Sequence, residues 1–312
     1  MLRDYAIIPD VFDEKCYSQL GICQYLLKEI KDEFLNAALV RSLYGGALNK
    51  YLDTNLQNWH PKAKELIHKL ITQNRFYEFS SMGSSEPTTY EEWTDEAIAG
   101  HAKQPLTGGG IITSHTGNLH RAPSATVSSI EKLDSALWWQ QRSATAQIKR
   151  MTSEYLASFR LIFDHANSLM FIDPHLDPAK HGYREFDQLL GAIRRKRPLP
   201  KIEIHRVCYY NSGPNRVIET NDAWENTFRR KLGPTLQAGG NSAEIFIWDD
   251  FHRRYLISDL IGIFLDNGFD VSNNPADILQ MARLDRNNRD AVQSEFHPAS
   301  NRHDLRHQFT VP

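Results

Sequence analysis

Cysteine is scarce in this chain of 312 residues: three are present, at positions 16, 23 and 208. So small and odd a number argues against a disulfide framework and points to a reducing compartment. Cys16 and Cys23, seven apart on a predicted helix, share its buried side, and without tightly spaced histidines they make no zinc site. Long apolar runs are also missing. The most apolar windows, Leu161–Ile172 and Tyr255–Leu265, are each interrupted by Asp and fall short of the ~18 apolar residues of a membrane span. The first residues, MLRDYAIIPDVF, hold no apolar signal core and no small-residue cleavage site, so the expected location is the cytoplasm. Charge of one sign is lacking too: 36 Lys and Arg face 38 Asp and Glu, for a net charge of -2, and the chain as a whole is no polycation. Repeats at solenoid spacing are absent.

What is present is ordinary for a globular protein: 41% hydrophobic and 24% charged residues, with length enough for two domains or one large one. Tyr5–Ile8 reads as a strand stopped by Pro9. Asp13 then stands where a helix N-cap would, ahead of apolar residues at helical spacing from Leu20 to Ile30. Further helices are expected from Asp32 to Tyr51, and from Lys62 to Asn74 behind Pro61. From Ser80 to Pro123 the pattern weakens to loop, with a short strand at Ile111–Thr113 behind the glycine run 108–110. That run lacks a following GK[ST] and is read as a turn rather than a phosphate loop. A helix is expected over Ser128–Gln141, where Trp138 and Trp139 form a buried aromatic face or, less simply, a platform for bases. A soft boundary falls near Arg142, giving a mainly helical region 1–142 and a second region 143–312.

The second region alternates. A helix over Thr145–Ala166 leads to the strand SLMFID. A helix over Tyr183–Lys196 precedes KIEIHRVCYY, and a helix from Ala223 to Leu232 precedes AEIFIWDD and RYLISDLIGIFL. The polar tail ends in an apolar stretch that can add an edge strand. The expected class is therefore α/β, a sheet covered by helices. Charge is uneven here: between Arg194 and Lys231 ten basic residues stand against four acidic ones. Arg194, Arg195, Lys196, Arg229 and Arg230 read either as a phosphate-facing patch, joined by Arg253, or as solvated helix ends. The late histidines His297, His303 and His307 lack metal-ligand spacing, and no metal or cofactor is expected.

The segment that carries chemistry is DDFHRRYLISDLIGIFLDNGFD, Asp249–Asp270. His252, Arg254 and Asp259 stand at positions one, three and eight of a window that resembles the HxKxxxxD signature of the phospholipase D superfamily, with Arg in place of Lys. The same segment, ending in Gly268, Phe269 and Asp270, is similar to the C-terminal phospholipase D-like domain of MIT-domain proteins, whose first strand the upstream FIDPHLDP also resembles. The resemblance covers about 120 of the 312 residues. It implies a mixed sheet with flanking helices over 143–312 and leaves room for a diverged first repeat in 1–142.

It also implies a chemistry that needs no metal. A histidine attacks the phosphorus of a phosphodiester, a second histidine protonates the leaving oxygen, a basic side chain binds the phosphate oxygens, and the Asp orients a histidine. The chain departs from the pattern in the Arg, in the missing downstream G-S-x-N, and in having no second HxK window. Catalysis would then require a homodimer in which each chain gives one histidine. Two functions follow as expectations. One is a metal-independent nuclease or phosphodiester-binding protein, with nucleic acid as partner and phage defence as a setting the resemblance suggests. The other is an inactive module that binds phospholipid, or a protein partner through the N-terminal helices. The plain alternative is structural: His252 bonded to Asp249 or Asp250, and Arg254 paired with Asp259 across a hairpin.

Overall fold

The structure is a computed structural model that describes residues 1–81, 87–120, 125–194, 198–211 and 213–312. It is a mixed α/β protein whose chain divides into two compact units, one spanning Leu2–Arg142 and the other Ser143–Pro312 with Met1.

The first unit is built on five parallel strands. They are β1 (Arg3–Ile7), β2 (Ala38–Ser42), β3 (Phe76–Glu78), β4 (Gly110–Ile112) and β5 (Val127–Ser129), in spatial order β3-β2-β1-β4-β5. Parallel neighbours need crossovers, and helices supply most of them. These are α1 (Glu14–Tyr17), α2 (Leu20–Tyr25) and α3 (Lys31–Ala37) before β2, and α4 (Leu43–Thr54) and α5 (Pro61–Thr72) before β3. Then come α6 (Tyr90–Lys103) before β4, α7 (Ser114–His120) before β5, and α8 (Leu137–Gln140) at the end. The expected mainly helical region is helix-rich, and its helices cover a parallel sheet. Its helix over Asp32–Tyr51 is cut by β2, all five of whose residues are buried. A strand covered on both faces reads as an unbroken apolar run, and periodicity does not separate it from a buried helix. The helix over Ser128–Gln141 is replaced by β5, a 3-10 turn and the single turn α8.

Asp4 on β1 ties this sheet together. It is fully buried and takes bonds from Arg41 Nε (3.0 Å) and Nη2 (2.8 Å), Tyr77 Oη (2.6 Å), and Thr107 N (2.8 Å) and Oγ1 (2.7 Å). The glycine run before β4 is a packing requirement. A Cβ at Gly108 would lie 2.3 Å from the Tyr5 ring, and one at Gly109 2.3 Å from Trp138. Trp139 is buried and Trp138 packs half-buried against the same core, so the tryptophan pair is core rather than a base platform.

The second unit opens with β6 (Thr145–Lys149), where a helix was expected; its edge position and alternating exposure explain the weak signal. Helix α9 (Thr152–His165) leads to β7 (Ser168–Ile172), and α10 (Phe186–Gly191) to β8 (Lys201–Val207). A small ribbon, β9 (Tyr209–Tyr210) with β10 (Val217–Ile218), precedes α11 (Asn221–Gly239) and β11 (Ala243–Trp248). Then follow β12 (Arg254–Ser258), β13 (Gly262–Leu265), β14 (Ile278–Arg283), α12 (Arg286–Glu295) and the edge strand β15 (Leu305–Val311). The eight-stranded sheet runs β15-β11-β8-β7-β12-β13-β14-β6. Strands β7, β8 and β11 are parallel, and every other pairing is antiparallel. This mixed topology differs from the all-parallel first sheet, so the first unit does not repeat it. Among the described residues, no helix is long and apolar enough to cross a membrane.

Candidate functional site

The order of the sheet determines where the motif falls. After β11 the chain passes the ends of β8 and β7 and enters β12 on the far side of β7. Residues 249–253 therefore cross the carboxyl ends of the parallel strands, the edge where open α/β sheets bind ligands. Tyr255 pairs with Ile172, which sets Arg254 beside Asp173, the residue that follows β7.

Asp173 is fully buried and organises this edge. Its Oδ1 accepts from the backbone N of His175 (3.0 Å) and lies 3.7 Å from Arg254 Nε. Its Oδ2 accepts from Tyr183 Oη (2.9 Å) and from Phe269 N (3.1 Å). The Gly268-Phe269-Asp270 segment thus docks directly on the end of FIDPHLDP. Tyr155 Oη donates to the carbonyls of Gly268 (3.1 Å) and Asp270 (3.0 Å), Phe269 packs on Phe171 and Phe186, and Asp270 pairs with Arg150. Burial, the largest influence on Asp270, raises its carboxyl above the usual range despite that arginine.

Held from behind in this way, Arg254 keeps 26% of its side chain exposed, with Nη1 near the Asp266 carbonyl (3.5 Å). Two further cations, Arg206 and Lys180, share with Arg254 the surroundings of His175. Half-buried His175 lies within electrostatic reach of Arg254, Arg206 and Lys180; burial, with those charges, lowers its pKa and favours the neutral ring. Lys180 sits over the Tyr210 ring at 4.8 Å. Arg206 is buried, bonded to the carbonyls of Leu176, Val207 and Tyr209 and laid on Trp224 at 3.4 Å. It therefore ties the loop after β7 to the loop after β8 (burial lowers its pKa to about 10, which leaves it charged at neutral pH).

The remaining motif residues scatter. His252 is 77% exposed, with Nε2 3.9 Å from Asp250 Oδ2, beyond hydrogen-bond range. Asp250 is itself engaged by Tyr209 Oη (2.5 Å) and Arg216 (3.1 Å). Asp259 lies at the other end of β12, about 16 Å along the strand from Arg254. There it accepts from Asn167 N (2.8 Å), Asn167 Nδ2 (2.7 Å) and Ser168 N (3.2 Å), anchoring the start of β7. The expectation that Asp259 orients the histidine is corrected, and so is a pair with Arg254, whose carboxylate partner is Asp173.

The basic stretch does not form one patch. Arg206 is internal, Arg216 is paired with Asp250, and Arg229 is paired with Glu225 at 2.7 Å. Arg194 and Arg230 are exposed, Arg253 is exposed with Nη1 3.4 Å from Tyr255 Oη, and Arg195 and Lys196 lie outside the described residues. His303 pairs with Glu295 (2.9 Å) and His307 with Glu225 (3.4 Å), while His297 accepts from the Ala299 N–H. Among the described residues, no group of three or more His, Cys, Asp or Glu is placed to hold a metal ion.

Sequence reasoning missed His175, Asp173 and Tyr183 as members of the site. FIDPHLDP pointed to a strand end but not to which other loop it would meet.

No family model matches the chain, and no curated protein does. One solved structure, that of TrmBL2, is described as an archaeal chromatin protein with a novel mode of DNA binding. The similarity covers 53% of this chain and 55% of that one, with 12% identity and a TM-score of 0.31. The chain thus spans about half the length of the structure it matches, and a likeness this weak carries no argument about fold or function.

Proposed function

We propose that the second unit is a phospholipase D-like module that grips a phosphodiester group of a nucleic-acid backbone at Arg254 and does not cut it. The observation that carries this reading is the Arg254 side chain at the carboxyl ends of the parallel strands, 26% exposed, with its Nε 3.7 Å from the fully buried Asp173. A braced guanidinium keeps its fork oriented for phosphate oxygens, while His175 and Lys180 add donors at the same edge. Cleavage is disfavoured by the placement of Asp259 and by an exposed His252 with no orienting hydrogen bond among the described residues. A catalytic version needs a second chain to bring another histidine, and a strictly monomeric protein removes it.

A second reading, attachment to an acidic lipid surface, is favoured by one feature. The β9–β10 ribbon carries Val217 and Ile218 at 57% and 69% exposure beside Arg216.

The test is fluorescence anisotropy with labelled single- and double-stranded DNA, and sedimentation with acidic vesicles, at ~50 and ~200 mM salt. Binding to DNA is expected to weaken with salt. Arg254→Ala is expected to cost about 1–3 kcal/mol of binding and to reduce the salt dependence by about one phosphate contact. An unchanged Arg254→Ala affinity refutes the site. Vesicle binding without DNA binding transfers the assignment to lipid. DNA cleavage that His252→Ala abolishes refutes the non-catalytic reading.

A further inference from the structure

A cavity of about 320 Å³ opens on one face of the eight-stranded sheet, at the amino-terminal ends of β7 and β8, the opposite end from Arg254. Its volume is at the lower end of the range for small-molecule sites. Phe246, Phe296, Met170 and Pro298 give it apolar walls. At its rim Glu203 and Glu244 stand directly opposite each other on the neighbouring strands β8 and β11. Like charges facing across strands destabilise a sheet unless a cation bridges them. Lys201 is that cation. Its Nζ lies 2.6 Å from Glu203 and 3.4 Å from Glu244, on a side chain that is 63% exposed.

Under the rim lies His205, fully buried and stacked on Phe246. Trp248 Nε1 donates to its Nδ1 (3.1 Å), so Nε2 carries the proton and points it at Glu203 (3.4 Å). Burial keeps the ring neutral, and Glu203 therefore has an N–H behind it that holds it in place without cancelling its charge. Two facing carboxylates meet an aromatic wall, and a solvent-exposed ammonium occupies the gap between them.

We infer that this cavity binds a small organic cation, a protonated amine on an apolar body, whose ammonium replaces Lys201 between Glu203 and Glu244. The lysine acts as an intramolecular stand-in that keeps the two carboxylates neutralised while the cavity is empty. A ligand of this class gains two charge-assisted hydrogen bonds and apolar contact with Phe246 and Phe296. It does so without leaving a buried charge unpaired, because the displaced Lys201 returns to water.

The probe is benzylammonium, titrated into the full chain by ligand-observed NMR, with benzyl alcohol and benzoate as neutral and anionic counterparts. Benzylammonium is expected to bind at least about tenfold tighter than either, the difference that one lost charge-assisted bond makes. Removing the internal competitor by Lys201→Met is expected to tighten benzylammonium by about tenfold and to make the melting temperature of the variant rise on adding it. Glu244→Gln, at a half-buried position whose ion-pair partner is Lys201, is expected to weaken binding by a similar factor. Equal binding of benzyl alcohol overturns the inference, as does a Lys201→Met variant that binds benzylammonium no better than the parent chain.

Discussion

Gly268→Ala is the severest test of how the candidate edge is assembled. A Cβ at this position would lie 1.9 Å from Asp173 Oδ2, 2.7 Å from Asp173 Cγ and 3.0 Å from Tyr183 Oη. Real Cβ contacts do not fall below 3.0 Å, so the gap must open by about 1 Å. Two routes exist. If Asp173 turns away, it abandons Tyr183 and Phe269 N and leaves a carboxylate with no exposed surface short of donors, which costs about 3–5 kcal/mol. If the loop lifts, the buried Tyr155 hydroxyl loses its bonds to the Gly268 and Asp270 carbonyls, at about 1 kcal/mol each. The Phe269 ring then also backs away from Phe171 and Phe186, at about 0.5–1.5 kcal/mol per pair. The two routes cost about the same and set the expectation at about 3–5 kcal/mol, a large part of a domain's stability. Because the chain divides into two units, the measurement is hydrogen exchange of peptides covering 266–272, read against peptides of the first unit, rather than one melting curve. Gly182→Ala is the control: its Cβ would meet Asp270 Cβ at 3.3 Å, a contact that small shifts relieve, for a loss under about 1 kcal/mol. Gly268→Ala protection within about 0.5 kcal/mol of the parent would show that the Asp173–Gly268 docking is wrong.

Asp259→Ala separates structure from function at the motif. It removes the acceptor of three donors at the start of β7 and is expected to cost about 2–3 kcal/mol in the second unit while leaving DNA affinity per folded molecule unchanged; reduced affinity at full folding would return Asp259 to the site. In the first unit, burial raises the pKa of Asp10 despite bonds from Thr113 and Thr116, and its Oδ1 is buried with no partner among the described residues. A carboxyl raised in the fold contributes stability that is full below its unfolded pKa and is lost as pH rises through the folded one. First-unit stability, followed by hydrogen exchange, is therefore expected to decline over that window, and Asp10→Asn to flatten the decline; identical pH profiles for the two chains would refute the assignment.

How much of this was readable without coordinates depends on which elements show a period. SLMFID, KIEIHRVCYY and AEIFIWDD are bounded apolar or alternating runs, and they became β7, β8 and β11, with the last two residues of KIEIHRVCYY forming β9. β2 was unreadable because both its faces are covered. β6 was hard to read for the opposite reason, since an exposed edge strand leaves little apolar signal. Helix α6 carried a readable mark that was passed over. Thr89 and Glu92 form a reciprocal capping box in front of it, and that spacing stands in the sequence as T-Y-E-E. At the site, the spacing of His252, Arg254 and Asp259 was visible, but spacing along a strand is not proximity. Five residues of β12 carry Asp259 to the opposite end of the sheet.

The same geometry explains why a short motif can keep its letters without keeping one chemical site. Arg254 and Asp259 begin and end an antiparallel partner of β7, so each contacts β7 where the register places it: Arg254 at Asp173, Asp259 at Asn167 and Ser168. Both are tied to the two ends of the same neighbouring strand, Asp259 by hydrogen bonds and Arg254 by an ion pair, and both are accounted for by the folding of that strand pair. What distinguishes Arg254 is that its side chain is still 26% exposed beside Asp173, whereas the Asp259 carboxylate spends both oxygens on the protein. A part-exposed arginine at the carboxyl ends of parallel strands suits the proposed anion contact, and a carboxylate with both oxygens engaged on backbone and amide donors is a clamp. Under the proposed reading the phosphate contact therefore rests on Arg254 with Asp173 and His175, a group drawn from two distant segments that only the sheet brings together.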